Sequence, residues 1–144
     1  MTDKVIPFLW FESNAEEAAR FYVSLFPSSK ITSASPMSVT FELDGRPFYA
    51  LNGGPTYQLS PAFSMFVSCK DQAEIDHFWS ALLADGGKPS RCGWLVDRFG
   101  LSWQVIPEEL PRIISDPRGL QAMLKMTKID VAELRRAFAG APVG

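Results

Sequence analysis

The chain reads as an α+β protein made of two tandem copies of one strand-helix-three-strand unit, followed by helices. Three observations lead there. A helix start with an apolar stripe behind it occurs twice, with Asn14 and Asp71 equivalent and 57 positions apart. Each copy closes on a hairpin signal, Asp44-Gly45 in the first and Arg98-Phe99-Gly100 in the second. Between the copies, Asn52-Gly53-Gly54-Pro55 through Pro61 has the glycine and proline density of a connector. A chain of 144 residues that repeats itself in this way is built from two copies of one supersecondary unit.

In the first copy, Val5 to Glu12 is rich in large apolar groups and reads as a buried strand. Asn14 with Glu17 then forms a capping-box pattern, and Ala18, Phe21, Tyr22, Leu25 and Phe26 follow at helical spacing. Pro27 ends the helix. Lys30 to Ala34 makes a short strand, and Val39 to Leu43 another with Val39, Phe41 and Leu43 on one face. Asp44-Gly45 turns the chain into a closing strand, Pro47 to Leu51.

The second copy repeats the order. Ala62 to Cys69 is its lead strand and Asp71 to Ala84 its helix, capped by Asp71 and Glu74, with a stripe of Ile75, Phe78, Trp79, Leu82 and Leu83. Asp85-Gly86-Gly87 supplies a glycine C-cap, and Trp94 to Asp97 and Leu101 to Ile106 flank the second hairpin turn. Module 1 thus spans about 5–52, the connector 53–61 and module 2 about 62–106 of a single domain. A helical extension covers 107–139: Leu110, Ile113 and Ile114, a break at Pro117 to Gly119, then Leu120, Met123 and Leu124, and a last helix with Val131, Leu134 and Phe138.

Composition narrows the function. A chain of this length buries roughly two-thirds of its unfolded surface, enough for one core. The formal charge of −2 offers no basic field for nucleic acid. The longest apolar run, Val5 to Phe11, is too short to cross a bilayer, and no signal-peptide pattern opens the chain, so a cytoplasmic protein is expected. Cys69 and Cys92 lack CxxC spacing and read as free thiols. The single histidine, His77, falls on the helix side away from the apolar stripe, as a surface imidazole does.

Four segments carry a resemblance: Pro7-Phe8-Leu9-Trp10-Phe11, Ala15 to Tyr22, Leu51-Asn52-Gly53-Gly54-Pro55, and Cys92-Gly93-Trp94-Leu95 with Asp97 to Val105. Together with the tandem modules they resemble the PhnB-like branch of the vicinal oxygen chelate superfamily, which includes glyoxalase I, extradiol dioxygenases and bleomycin-resistance proteins. Members of that branch are often labelled 3-demethylubiquinone-9 3-methyltransferases. The resemblance implies that the modules form an incomplete barrel and that the protein is a homodimer. The connection from Ile31 to Val39 is shorter than is usual in the branch, which implies a pocket rim that is more open or differently closed.

In the superfamily's enzymes a divalent metal is held by side chains of the first and last strands of each module. The resemblance puts those positions at Pro7 and Ser64 in the lead strands and at Tyr49 and Gln104 in the closing strands. None is an imidazole or a carboxylate, and a divalent cation needs three or four strongly basic or deprotonated ligands. No metal or other cofactor is therefore expected.

Alternation along the lead strands places Pro7, Leu9 and Phe11, with Ser64, Phe66 and Ser68, on the cavity face. Glu12 is the only acid expected near it. The candidate pocket residues are accordingly Leu9, Phe11, Glu12, Tyr49, Ser64, Phe66 and Gln104, an apolar wall with a few polar handles. The leading expectation is a metal-free protein that binds a small hydrophobic or aromatic ligand. The alternatives are an enzyme of the same fold and a purely structural dimerisation module. The enzyme would be a metal-dependent lyase or dioxygenase, or a metal-free acid-base catalyst using Glu12, Tyr49 and Gln104.

Overall fold

The computed structural model describes residues 3–139. The chain divides after Ser60 into two compact units.

The first unit contains β1 (Phe8–Phe11), α1 (Ala15–Leu25), β2 (Lys30–Ala34), β3 (Ser38–Leu43) and β4 (Arg46–Asn52). Its sheet runs β1-β4-β3-β2, with β1 parallel to β4 and the other pairs antiparallel. β1 is shorter than the apolar run that announces it because Pro7 has no N–H for the ladder. The Pro7 carbonyl still accepts a bond from Tyr49 N at 2.9 Å. Val39 and Phe41 lie across from Ala50 and Phe48, Leu9 lies across from Ala50, and Leu43 follows on the same face of β3. These apolar groups form one buried face with Phe11, and α1 covers it with Ala15, Ala18, Ala19 and Tyr22. Asp44 at φ 52° and Gly45 at φ 78° make the two-residue turn whose twist suits a hairpin.

The capping of α1 departs from the sequence reading. Asn14 occupies the N-cap position, but its side chain makes no capping bond. Asn52, at the end of β4, supplies it instead: its Oδ1 accepts from Ala15 N at 2.8 Å, and its Nδ2 donates to the Pro36 carbonyl at 3.0 Å. One amide thereby ties the closing strand to both the helix start and the β2–β3 turn.

The second unit repeats the order with β5 (Ser64–Cys69), α2 (Gln72–Leu83), β6 (Lys88–Pro89), β7 (Trp94–Val96) and β8 (Ser102–Pro107), in a sheet of order β5-β8-β7-β6. Here the cap forms as read: Asp71 Oδ1 accepts from Glu74 N at 2.9 Å. Glu74 Oε1 reaches back to Lys70 N at 3.1 Å, one residue before the cap. Strand β6 has no sequence signal, being two residues long and containing Pro89.

Three helices follow: α3 (Leu110–Ile114), α4 (Pro117–Leu124) and α5 (Val131–Ala139). Pro117 to Gly119 is the first turn of α4 rather than a break. Proline suits the first helical position, and Asp116 Oδ1 caps it by accepting from Arg118 N at 2.8 Å. Gly119 is buried against α3, where a Cβ would stand 2.2 Å from the Ile113 carbonyl oxygen. The tail is fastened to the module through Gln72, whose Nε2 donates to the Ile129 carbonyl at 3.0 Å and whose Oε1 accepts from Val131 N at 2.8 Å.

The two modules are in register as a repeat, with one slip. Their helices begin at Ala15 and Gln72, but three residues link β1 to α1 and only two link β5 to α2. The lead strands are therefore offset by 58. Phe8 pairs with Tyr49 as Phe66 pairs with Gln104. Because side chains alternate with period two, that one residue decides which face each lead-strand group occupies. Pro7 is accordingly not the counterpart of Ser64.

Candidate functional site

Each sheet buries one face beneath its helix and leaves the other only partly open, Ser102 and Ile106 of the second sheet being buried as well. On the second sheet the open face carries Ser64, Phe66 and Ser68 from β5, Ser102, Gln104 and Ile106 from β8, and Trp94 and Val96 from β7. Gln104 Nε2 donates to Ser64 Oγ at 3.0 Å. Phe66, directly across from Gln104, is 59% exposed. An exposed aromatic ring thus stands beside a neutral pair in which the Ser64 O–H and the Gln104 carbonyl oxygen remain available.

Beyond that pair the face is closed by the tail. Cys92 N and Gly93 N donate to the carbonyls of Met126 and Thr127 at 2.9 and 2.8 Å. Gly93, at φ 84°, sits where a Cβ would meet Ile106 Cδ1 at 2.8 Å and Ile129 Cγ1 at 3.0 Å.

On the first sheet the open face carries Phe8 and Trp10 from β1, Tyr49 and Leu51 from β4, and Thr40 and Glu42 from β3. Phe8 is 57% exposed and meets Tyr49 edge to face, with centroids 5.8 Å apart. Thr40 and Thr32 share a hydroxyl bond of 2.7 Å. Trp10 is fixed to the connector, its indole N donating to the Gly54 carbonyl at 3.0 Å and its ring packing edge to face on Tyr57.

These placements sort the sequence candidates. Ser64, Phe66 and Gln104 share one open face, and Tyr49 lies on the open face of its own sheet. Leu9 and Phe11, each 3% exposed, belong instead to the face under α1, because of the extra link residue. Glu12 is exposed past the end of β1, about 13 Å along the strand from the Phe8–Tyr49 pair at ~3.3 Å per residue, so the structure does not bring it to Tyr49. The acid that does share Tyr49's face is Glu42, which the sequence reading overlooked. Its signal was present, since Val39, Phe41 and Leu43 facing the core put Thr40 and Glu42 opposite.

Other residues of the repeated motifs hold the architecture. Asp97, 3% exposed, accepts from Phe99 N at 2.8 Å, from Leu101 N at 3.1 Å and from the Trp103 indole N at 2.8 Å, which shapes the β7–β8 turn around one carboxylate. His77 is exposed beside Phe78. Cys69 is buried, and that burial pushes its thiol up to about 12, with Glu74 adding to the shift.

The Cys69 shift has two consequences. In the native protein a thiol reagent is expected to label Cys92 at pH 8 while sparing Cys69 until the chain is unfolded; equal labelling of both would contradict the burial. Because the folded pKa lies above the unfolded value near 9, the neutral thiol favours the fold fully below pH 9. Stability is expected to fall between pH 9 and 12, and a Cys69→Ala variant is expected to lose this part of the alkaline dependence.

Neither sheet offers donors that suit a divalent metal: Tyr49 on the first is a phenol, and on the second Ser64 and Gln104 are a hydroxyl and an amide bonded to each other. Among the described residues no group of three or more His, Cys, Asp or Glu side chains is placed to hold a cation. No described helix is long and apolar enough to cross a membrane.

Residues 3–106 match the family described as 3-demethylubiquinone-9 3-methyltransferase. A PhnB protein of Bacillus cereus is 32% identical, with a TM-score of 0.65 over 72% of this chain and 99% of that one. A Pseudomonas aeruginosa protein shares the fold at 22% identity and a TM-score of 0.59, over 74% of this chain and 98% of its own. A glyoxalase-related enzyme of Fulvimarina pelagi shares it at 16% identity and a TM-score of 0.53, over 73% and 87%. No curated protein matches the chain.

Proposed function

Since the chain belongs to the PhnB-type family described as 3-demethylubiquinone-9 3-methyltransferase, with a glyoxalase/bleomycin-resistance fold, we propose that it is a metal-free small-molecule-binding protein. Its ligand is a small hydrophobic or aromatic molecule, held on the open face of the second sheet. The observation that carries this reading is the exposed Phe66 ring beside the Gln104–Ser64 pair, an apolar surface with two convergent hydrogen-bonding groups. Uncharged groups suit an uncharged ligand, because transferring a charge from water to a site without a counter-ion costs several kcal/mol.

Methyl transfer is no part of the reading. Adenosylmethionine enzymes of the common kind open a helix with a glycine-rich turn directly after a strand, in a doubly wound sheet. Here Gly53-Gly54 lead from β4 into a connector and Gly86-Gly87 follow α2. The protein acts as a homodimer in this proposal, consistent with exposed Val5, Phe8, Met37 and Phe63 and with the open edges of both sheets. Sedimentation at micromolar concentration giving only monomer would remove the dimer.

A thermal-shift screen against metabolites and quinone-like aromatics tests the function, since a ligand present at 100 times its dissociation constant adds about 2.7 kcal/mol of stability. Replacing Gln104 by leucine is expected to weaken binding about tenfold, roughly 1.4 kcal/mol, while leaving the unfolding temperature within a few degrees. Unchanged affinity would remove Gln104 from the site. Stoichiometric zinc, nickel or iron in the purified protein would replace this proposal with a metal-dependent lyase or dioxygenase.

A further inference from the structure

Ser102 opens β8 directly across from Ser64 and faces the same side as Gln104 two residues on. Its side chain is 1% exposed, and its hydroxyl has no hydrogen-bond partner among the described residues. A buried hydroxyl without a partner is costly, and native proteins keep few of them. Here it lies next to the neutral Gln104–Ser64 pair. The Gln104 side chain spans from β8 to Ser64, so turning it off Ser64 frees a hydroxyl on the residue directly across from Ser102.

We propose that Ser102 is a ligand-binding residue and that the site takes an aromatic molecule bearing a neutral hydroxyl. This rests on the binding function proposed above and names the ligand class. The ring lies against Phe66. The ligand hydroxyl accepts from Ser102 or Ser64 and donates to the Gln104 carbonyl oxygen, so an oxygen that both donates and accepts meets groups of both kinds. A carboxylate can only accept, and it would face the Gln104 oxygen with no cation on Ser64, Ser102 or Gln104 to balance it.

Phenol and toluene, alike in size and differing in the hydroxyl, are the probes. Phenol is expected to raise the unfolding temperature of the wild type more than toluene at equal concentration. In Ser102→Ala the phenol affinity is expected to drop about five- to tenfold, to the level of toluene, while toluene binds as before. The ligand-free variant is expected to be as stable as the wild type or more so, because no bond is lost.

Equal phenol binding by variant and wild type would overturn the assignment of Ser102 and leave the binding function standing. A ligand-free variant melting several degrees lower would overturn it too, by showing that the hydroxyl is already bonded. No response of the wild type to phenol, with a response to other aromatics in the screen, would overturn the ligand class alone.

Discussion

Replacing Asp97 by alanine is expected to lower the unfolding free energy by about 3–5 kcal/mol, a fall of roughly 10–20 °C in unfolding temperature for a domain of this size. The carboxylate receives two backbone N–H groups and the Trp103 indole N–H, and Trp103 is 1% exposed. Its removal takes a charged acceptor away from the buried indole N–H and frees the β7–β8 turn that positions Ser102 and Gln104. Asparagine is no remedy: one of its two terminal atoms donates, so either the indole or the backbone pair meets a donor. Calorimetry of both variants checks the expectation, and a loss under 1 kcal/mol for alanine would show that the carboxylate is dispensable.

Alanine at Gly53 is expected to cost about 2–3 kcal/mol by overpacking. A Cβ there would stand 2.3 Å from two carbons of the Trp10 ring. The ring cannot simply step aside, because its N–H is bonded to the Gly54 carbonyl and its edge rests on Tyr57. Alanine at Gly54 makes the useful contrast. That residue has φ 80° with nothing within 4 Å of a Cβ, so its cost is the backbone term alone, about 1 kcal/mol. Gly53→Ala should also alter the near-ultraviolet tryptophan signal, whereas Gly54→Ala should not. Equal losses at the two positions would contradict the packing of Trp10 over the connector.

The repeat was legible because helices announce themselves by caps and periodic apolar groups, and the Asp44-Gly45 hairpin by its turn residues. What escaped was relational. Asn14 and Asn52 are the same residue type, and only the fold reveals that the distant one caps α1. Leu9 and Phe11 lie under α1 rather than on the expected cavity face, because the lead strands are offset by 58 while the helices are offset by 57. A slip of one residue is harmless along a helix stripe and inverts a strand. Ser64 and Gln104 are candidates through the family resemblance, and the bond between them, diagonal across the β5–β8 pairing, comes from the fold. The orphaned Ser102 hydroxyl has no such signal, because burial of one small polar group leaves no mark on the sequence.

Titrating isotopically labelled protein with a phenolic aromatic and following amide chemical shifts tests the central claim most directly. The account expects the largest changes at Ser64, Phe66, Ser102 and Gln104, including the Gln104 side-chain amide, with no added metal. Changes confined to the C-terminal helices, or appearing only after zinc is supplied, would contradict it.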